Sequence, residues 1–197
     1  AWRIGLLKNI YEQLGEIDMS EQNQLDYEIN KELGECYLFM GDYDKAEDYY
    51  RKAAVSNPKN AAPFMGLATI AVQRSELDKA LVLYHKAAEV EETDKALCGI
   101  GLVHMERGEH EEACGYFARA LDKTASNIVA LNCMVRESYQ LNKVEDTIPY
   151  LENALAASEE KEAIQVTLAG CMIYLGRNAE ARSLLENVLC DNPQNGN

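Results

Sequence analysis

Cys98, His104, His110 and Cys114 are the residues whose types first suggest chemistry. His110 and Cys114 stand four apart, a spacing that puts two ligands on one helical face of a metal site. The four together match no zinc-binding spacing, and His104 and His110 occupy places that hold Tyr37 and Tyr43 in an earlier segment of the same pattern. Both read as substitutes for packing aromatics, and no metal is expected. Gly99-Ile100-Gly101 begins like a dinucleotide fingerprint, but it lies within a helical stretch rather than after a strand. The acidic pairs Glu91-Glu92, Glu111-Glu112 and Glu159-Glu160 fall at turns and helix ends, where solvation and the helix dipole account for them. No Ser/His/Asp order, carboxylate pair or P-loop remains. The expectation is a non-catalytic chain without cofactors.

Composition narrows the partners. The 197 residues carry 19 basic and 33 acidic side chains, a formal charge of −14. Phosphate-backbone binding needs a concentrated Lys/Arg surface, so nucleic acid is set aside. No apolar run approaches the roughly 20 residues of a membrane span. The six cysteines at 36, 98, 114, 133, 171 and 190 form no CxxC pair and fall in apolar helical stretches. There a free thiol behaves as a small hydrophobe, which favours a reducing, cytoplasmic setting. The chain starts at Ala1 rather than Met, which leaves a removed targeting segment or a longer parent open.

The elements that would position any site come from a repeat. Ala46, Ala80, Ala113, Thr147 and Ala181 stand 34, 33, 34 and 34 residues apart. Five units follow, 27–60, 61–93, 94–127, 128–161 and 162–195, preceded by residues 1–26 as a helix and connector and followed by a tail of 196–197. Small residues recur at Gly34, Ala68, Gly101 and Ala169, with Val135 the exception. Gly41, Ser75, Gly108, Asn142 and Gly176 suit a helix C-terminus and tight turn. Tyr50, Tyr84, Phe117, Leu151 and Leu185 form an aromatic or leucine column, followed three residues on by Ala53, Ala87, Ala120, Ala154 and Val188.

Each unit reads as a helical hairpin. Leu97, Ile100, Gly101 and His104 share one helical face, small residues there admit the second helix, and Asp44, Asp78 and Glu111 favour that helix's N-terminus. Pro149 falls inside the second helix of the fourth unit, which predicts a late start or a kink between Glu145 and Pro149. Trp2, Leu6, Ile10 and Leu14 predict a helix over 2–14, with Gly15 to Gln24 as a polar connection. The last helix is expected to end near Leu189 with no cap after it, which leaves self-association through that end open.

Spacing and columns together resemble the tetratricopeptide repeat over nearly the whole chain. Leu33, Gly34, Tyr37, Gly41, Tyr43, Ala46, Tyr50, Ala53 and Pro58 carry most of the motif in the first unit. The resemblance implies an all-α fold, an α-solenoid whose helix-turn-helix units form a right-handed superhelix. It also implies that the first helices line a concave groove with their places 2, 5, 9, 12 and 13. Those places hold Leu38, Phe39, Met65, Thr69, Val72, Leu102, Met105, Asn132, Arg136, Tyr139, Ile173 and Tyr174, with Val166 beside them. Such an apolar stripe with a few polar anchors suits a partner's peptide or helix. Some members hold a C-terminal carboxylate in a Lys/Asn/Arg clamp. Lys31 and Lys95 fit it, but Glu35, Gly66 and Gly99 stand where Asn, Asn and Arg belong, so that ligand is not expected. The functional expectation is a protein-interaction scaffold. The alternatives are an arm of a larger protein, such as a glycosyltransferase, that positions a polypeptide substrate, or a self-assembling scaffold.

Overall fold

The computed structural model describes residues 5–6, 19–159 and 161–191. Among them the fold is all-α, five antiparallel helical hairpins without a strand. The helices are α1 (Met19–Phe39), α2 (Tyr43–Ser56), α3 (Ala62–Gln73), α4 (Leu77–Val90), α5 (Asp94–Glu106), α6 (His110–Lys123), α7 (Ile128–Gln140), α8 (Ile148–Ala157), α9 (Lys161–Tyr174) and α10 (Asn178–Asp191). A 3₁₀ turn, Val144–Thr147, precedes α8. The chain divides into two compact units, one up to Val103 and one from His104.

The turn column closes every hairpin in the same way. Gly41, Ser75, Gly108, Asn142 and Gly176 all have positive φ, between 54° and 77°. The amide that follows each one reaches back to the first helix: Asp42 to Tyr37 O, Glu76 to Ala71 O, Glu109 to His104 O, Lys143 to Ser138 O and Arg177 to Met172 O, at 2.8–3.0 Å. These bonds satisfy carbonyls that a helix end would otherwise orphan.

In the first unit, Tyr50 fills the space between α1 and α3. A Cβ on Gly34 would lie 2.9 Å from its ring, and one on Gly66 2.4 Å from it. Tyr84 does the same on Gly99, where a Cβ would lie 2.4 Å away. Gly99, which resembles a nucleotide-loop glycine in sequence, thus makes room for an aromatic ring. Across the next joint, Arg74 bonds Glu47 and Asp44, each at 2.5 Å.

In the second unit, Phe117, Leu131 and Leu151 are fully buried among Ala113, Ala120, Ala130 and Ala154. His104 stacks on Tyr116 at 5.3 Å between centroids, as Tyr37 stacks on Tyr49 at 5.4 Å two repeats earlier, so it does fill an aromatic's place. His110 is more polar than its column implies, because its Nδ1 bonds the buried Glu137 carboxylate. The α-helix before Pro149 is delayed as predicted. The chain takes a 3₁₀ turn, Thr147 Oγ1 donates to Val144 O at 2.7 Å, and α8 opens only at Ile148.

One expectation is corrected. The polar run Met19–Gln24 is helical and continuous with α1. Side-chain bonds one turn apart, Gln22 to Asp26 and Gln24 to Glu28, support a polar helix that composition alone reads as a connection. Most of the helix expected over 2–14 lies outside the described residues.

Candidate peptide-binding face

Helices α7 and α9 are the first helices of the fourth and fifth hairpins. Places 2, 5, 9, 12 and 13 are Val129, Asn132, Arg136, Tyr139 and Gln140 on α7, and Ala163, Val166, Gly170, Ile173 and Tyr174 on α9. All ten are exposed. The opposite side of the same helices is core: Leu131, Met134, Val135 and Ser138 on α7, and Ile164, Leu168, Ala169, Cys171 and Met172 on α9, are buried. Because the helical period separates the two sets, the exposed set forms one stripe on each helix.

That stripe is apolar. Val129, Tyr139, Val166, Ile173 and Tyr174 are each 37–56% exposed. Their geometry is fixed across the two helices. The Tyr139 and Tyr174 rings meet edge to face, 4.8 Å apart. Tyr139 donates its hydroxyl to Cys171 Sγ at 3.8 Å, and Tyr174 donates to Asn142 Oδ1 at 2.9 Å. Burial, then the Cys171 bond, pushes the Tyr139 hydroxyl up to about 12, so it stays a donor at physiological pH.

Arg136 is the charged residue of the ten. Its Nε donates to Glu137 Oε1 at 3.3 Å and its guanidinium also contacts Met105 Sδ. Glu137 is buried and also bonded to His110, whereas the Arg136 side chain is 59% exposed. What faces solvent here is therefore the positive partner. Beside Asn132, a cleft of about 360 Å³ opens between the first turns of α7 and α9, lined also by Ile128, Leu131, Ile164 and Thr167.

The other expected groove residues lie differently. Leu38, Met65, Thr69, Val72, Leu102 and Met105 are half-buried. Leu38 packs on the cluster of Leu33, Tyr37 and Tyr50, and Met65 on that of Phe64 and Ala96. Thr69 donates to Met65 O at 3.0 Å and meets the Tyr84 hydroxyl at 3.2 Å, so it serves the packing of α3 and α4. Phe39 stands 94% exposed at the end of α1. Val129 and Gly170 belong to the open stripe and are missed when the places are read for large or polar anchors. The same register would have found them at place 2 of the fourth unit and place 9 of the fifth.

Three family models, each described as a tetratricopeptide repeat, match residues 27–60, 65–128 and 138–197. The chain belongs to the tetratricopeptide repeat family. It is similar to the BBSome complex member BBS4 of Bos taurus, 30% identical over 115 residues, which are 58% of this chain and 22% of that relative. The chain thus spans about a fifth of that relative's length. Among solved structures it is similar to pilF of Pseudomonas aeruginosa, with a TM-score of 0.69 and 20% identity over 86% of this chain and 78% of that one. It also shares its fold with YrrB, at a TM-score of 0.60 and 14% identity over 88% and 90% of the two chains. Proteins of this family are generally non-catalytic scaffolds, and the repeat matches support a protein-interaction scaffold here. No helix among the described residues is long and apolar enough to cross a membrane.

Proposed function

We propose that this tetratricopeptide repeat chain binds a peptide or helical segment of a partner protein across the inner face of α7 and α9. The observation that carries the reading is the exposure of all ten inner-face positions there, most of them apolar, whereas Ala62, Met65, Thr69 and Val72 at the matching places of α3 are half-buried. Exposed apolar residues elsewhere, such as Val55 and Val82, do not share a stripe of this kind. Tyrosine and arginine carry a large share of binding energy at protein interfaces, which makes Tyr139, Tyr174 and Arg136 the expected anchors. YrrB, the structural neighbour, is described as having an unusual peptide-binding site. Cys36, Cys114, Cys133 and Cys171 form no disulfide among the described residues, which supports a reducing, cytoplasmic setting.

The test is affinity capture from source-cell lysate with the wild-type chain and the Arg136→Glu/Tyr139→Ala variant side by side. Proteins enriched by the wild type at least about tenfold over the variant, at equal helical content, support the reading, since two lost anchors are worth at least that factor. Identical enrichment by both baits overturns it. A second reading, that the array is an arm of a larger protein, is supported by the greater length of its relatives. A native gene product of 22.0 kDa on immunoblot would refute that reading.

A further inference from the structure

The joint between the third and fourth hairpins differs from the first joint in what fills it. At the first joint Glu47 takes Arg51 from its own helix and Arg74 and Lys79 from the next hairpin, at 2.7, 2.5 and 3.4 Å. Two repeats on, the same four places hold Cys114, Ala118, Leu141 and Asp146. Each cation of the first joint is thus replaced by an alanine, a leucine or an aspartate. The space between α6 and the start of α8 is a cleft of about 510 Å³, within the range of ligand-binding pockets. Its floor is apolar: Met134 is buried, and Leu141 and Cys114 are half-buried. The buried hydroxyls beside it, on Ser138 and Thr147, already donate to Val135 O and Val144 O. Its rim is acidic, with Glu145 and Asp146 exposed. The cations nearby are engaged elsewhere: Lys143 pairs with Glu111 at 2.8 Å, and Arg177, whose charge reaches Glu145, is held by Glu180 at 2.6 Å. Burial and then the Glu137 charge push the Cys114 thiol up, with Asp146 and Glu111 adding to the rise and Lys143 opposing it. Cys114 therefore stays neutral and lines the cleft as a small apolar group.

We propose that this cleft, which lies on the side of α7 away from its exposed stripe, takes an arginine of a partner polypeptide, with the aliphatic stem on Met134 and Leu141 and the guanidinium at Asp146 and Glu145. An apolar slot under a carboxylate rim suits a cation carried on an apolar stem, and a guanidinium pairs bidentately with carboxylates. Arg74 is the precedent within the chain: at the first joint it crosses between hairpins to bond Asp44 and Glu47, each at 2.5 Å. At the third joint the partner supplies the cation that Leu141 replaces. The cleft is open to solvent along Gly115 and Pro149, both exposed, so the arginine enters as a side chain while its own backbone stays outside. The net charge of −14 draws basic segments toward the chain.

The experiment titrates the isotope-labelled chain by NMR with the acetylated, amidated peptide Ala-Leu-Arg-Leu-Ala and with its citrulline analogue, which keeps the shape and loses the charge. The wild type is run beside Asp146→Asn and Cys114→Glu/Ala118→Arg, the second of which rebuilds the Glu47–Arg51 pair inside the cleft. The arginine peptide is expected to shift the amides of Cys114, Gly115 and Asp146, with a dissociation constant of about 1 mM or below and about tenfold tighter than the citrulline peptide. Asp146→Asn is expected to weaken it at least about threefold, and the rebuilt pair to abolish these shifts at equal helical content. Should the double variant fail to fold, the Asp146→Asn titration decides. Equal binding of the citrulline peptide, unchanged affinity in Asp146→Asn, shifts spread evenly over the acidic surface or centred on Tyr139 and Tyr174, or no binding up to about 10 mM overturns the proposal. Binding of N-acetylarginine amide as tight as that of the peptide overturns its polypeptide half. Both variants leave the stripe on α7 and α9 intact, so failure here is separate from failure of the peptide-binding reading above.

Discussion

Gly66 and Gly170 are the same residue type inside two first helices, yet the surrounding structure assigns them opposite costs. At Gly66 a methyl group would sit 2.4 Å from the Tyr50 ring, which is itself buried between two helices. Gly66→Ala gains about 1 kcal/mol of helix propensity but must displace that ring, and overpacking of this kind costs about 1–3 kcal/mol. The net expectation is a destabilisation of about 1 kcal/mol and a melting temperature lowered by about 2–4 °C, measured by circular dichroism. A rise would show that Tyr50 moves aside freely. Ser75 and Asn142 show the same dependence on place. Neither is glycine, but each sits in the left-handed turn that Gly41, Gly108 and Gly176 adopt without strain.

At the scale of the element, neighbouring hairpins are tied by ion pairs as well as by packing. Glu47 on α2 takes Arg74 at 2.5 Å, Arg51 at 2.7 Å and Lys79 at 3.4 Å. Burial alone would raise its carboxyl. The Arg74 hydrogen bond and the charges of Arg51 and Lys79 outweigh that and hold it below the usual glutamate value of 4.5. A carboxyl depressed by folding contributes stability above its unfolded pKa and loses it as the pH falls through the folded value. Glu47→Gln should therefore lower stability at pH 7 by about 1–2 kcal/mol, in line with loss of a charged hydrogen bond. Below pH 4.5 the gap between variant and wild type should close, as urea titrations at a series of pH values would show. A constant gap down to pH 3 would mean that shape at Glu47, not charge, holds the joint.

For the molecule as a whole, 33 acidic against 19 basic residues set a repulsion that local pairs only partly offset. Raising salt from about 10 mM to about 0.5 M shortens the Debye length from about 30 Å to under 10 Å, which screens both. Exposed pairs such as Lys143–Glu111 are worth under about 1 kcal/mol each, so relief of the net charge is expected to win. The melting temperature should rise with NaCl. A fall would make the inter-repeat pairs at Glu47 and Glu137 the larger effect.

Period, turn column and helix-breaking proline were all legible from residue types, because they depend on contacts within about 35 residues and on backbone preferences that each residue carries alone. Gly41, Asn142 and Gly176 announce their turns, and Pro149 its delayed helix, without reference to neighbours in space. Exposure was not legible. Met65 and Val166 stand at the same place of their repeats, yet one leans on Phe64 and the other faces solvent, and only the packing of adjacent hairpins separates them. The glycines divide in the same way: Gly99 accommodates Tyr84, whereas Gly170 faces open space among the described residues, a distinction that rests on which side chain arrives from another helix. The amino-acid sequence by itself determined that five helical hairpins would form and where each would turn. Tertiary packing alone decided which of their matching faces closed into core and which stayed exposed.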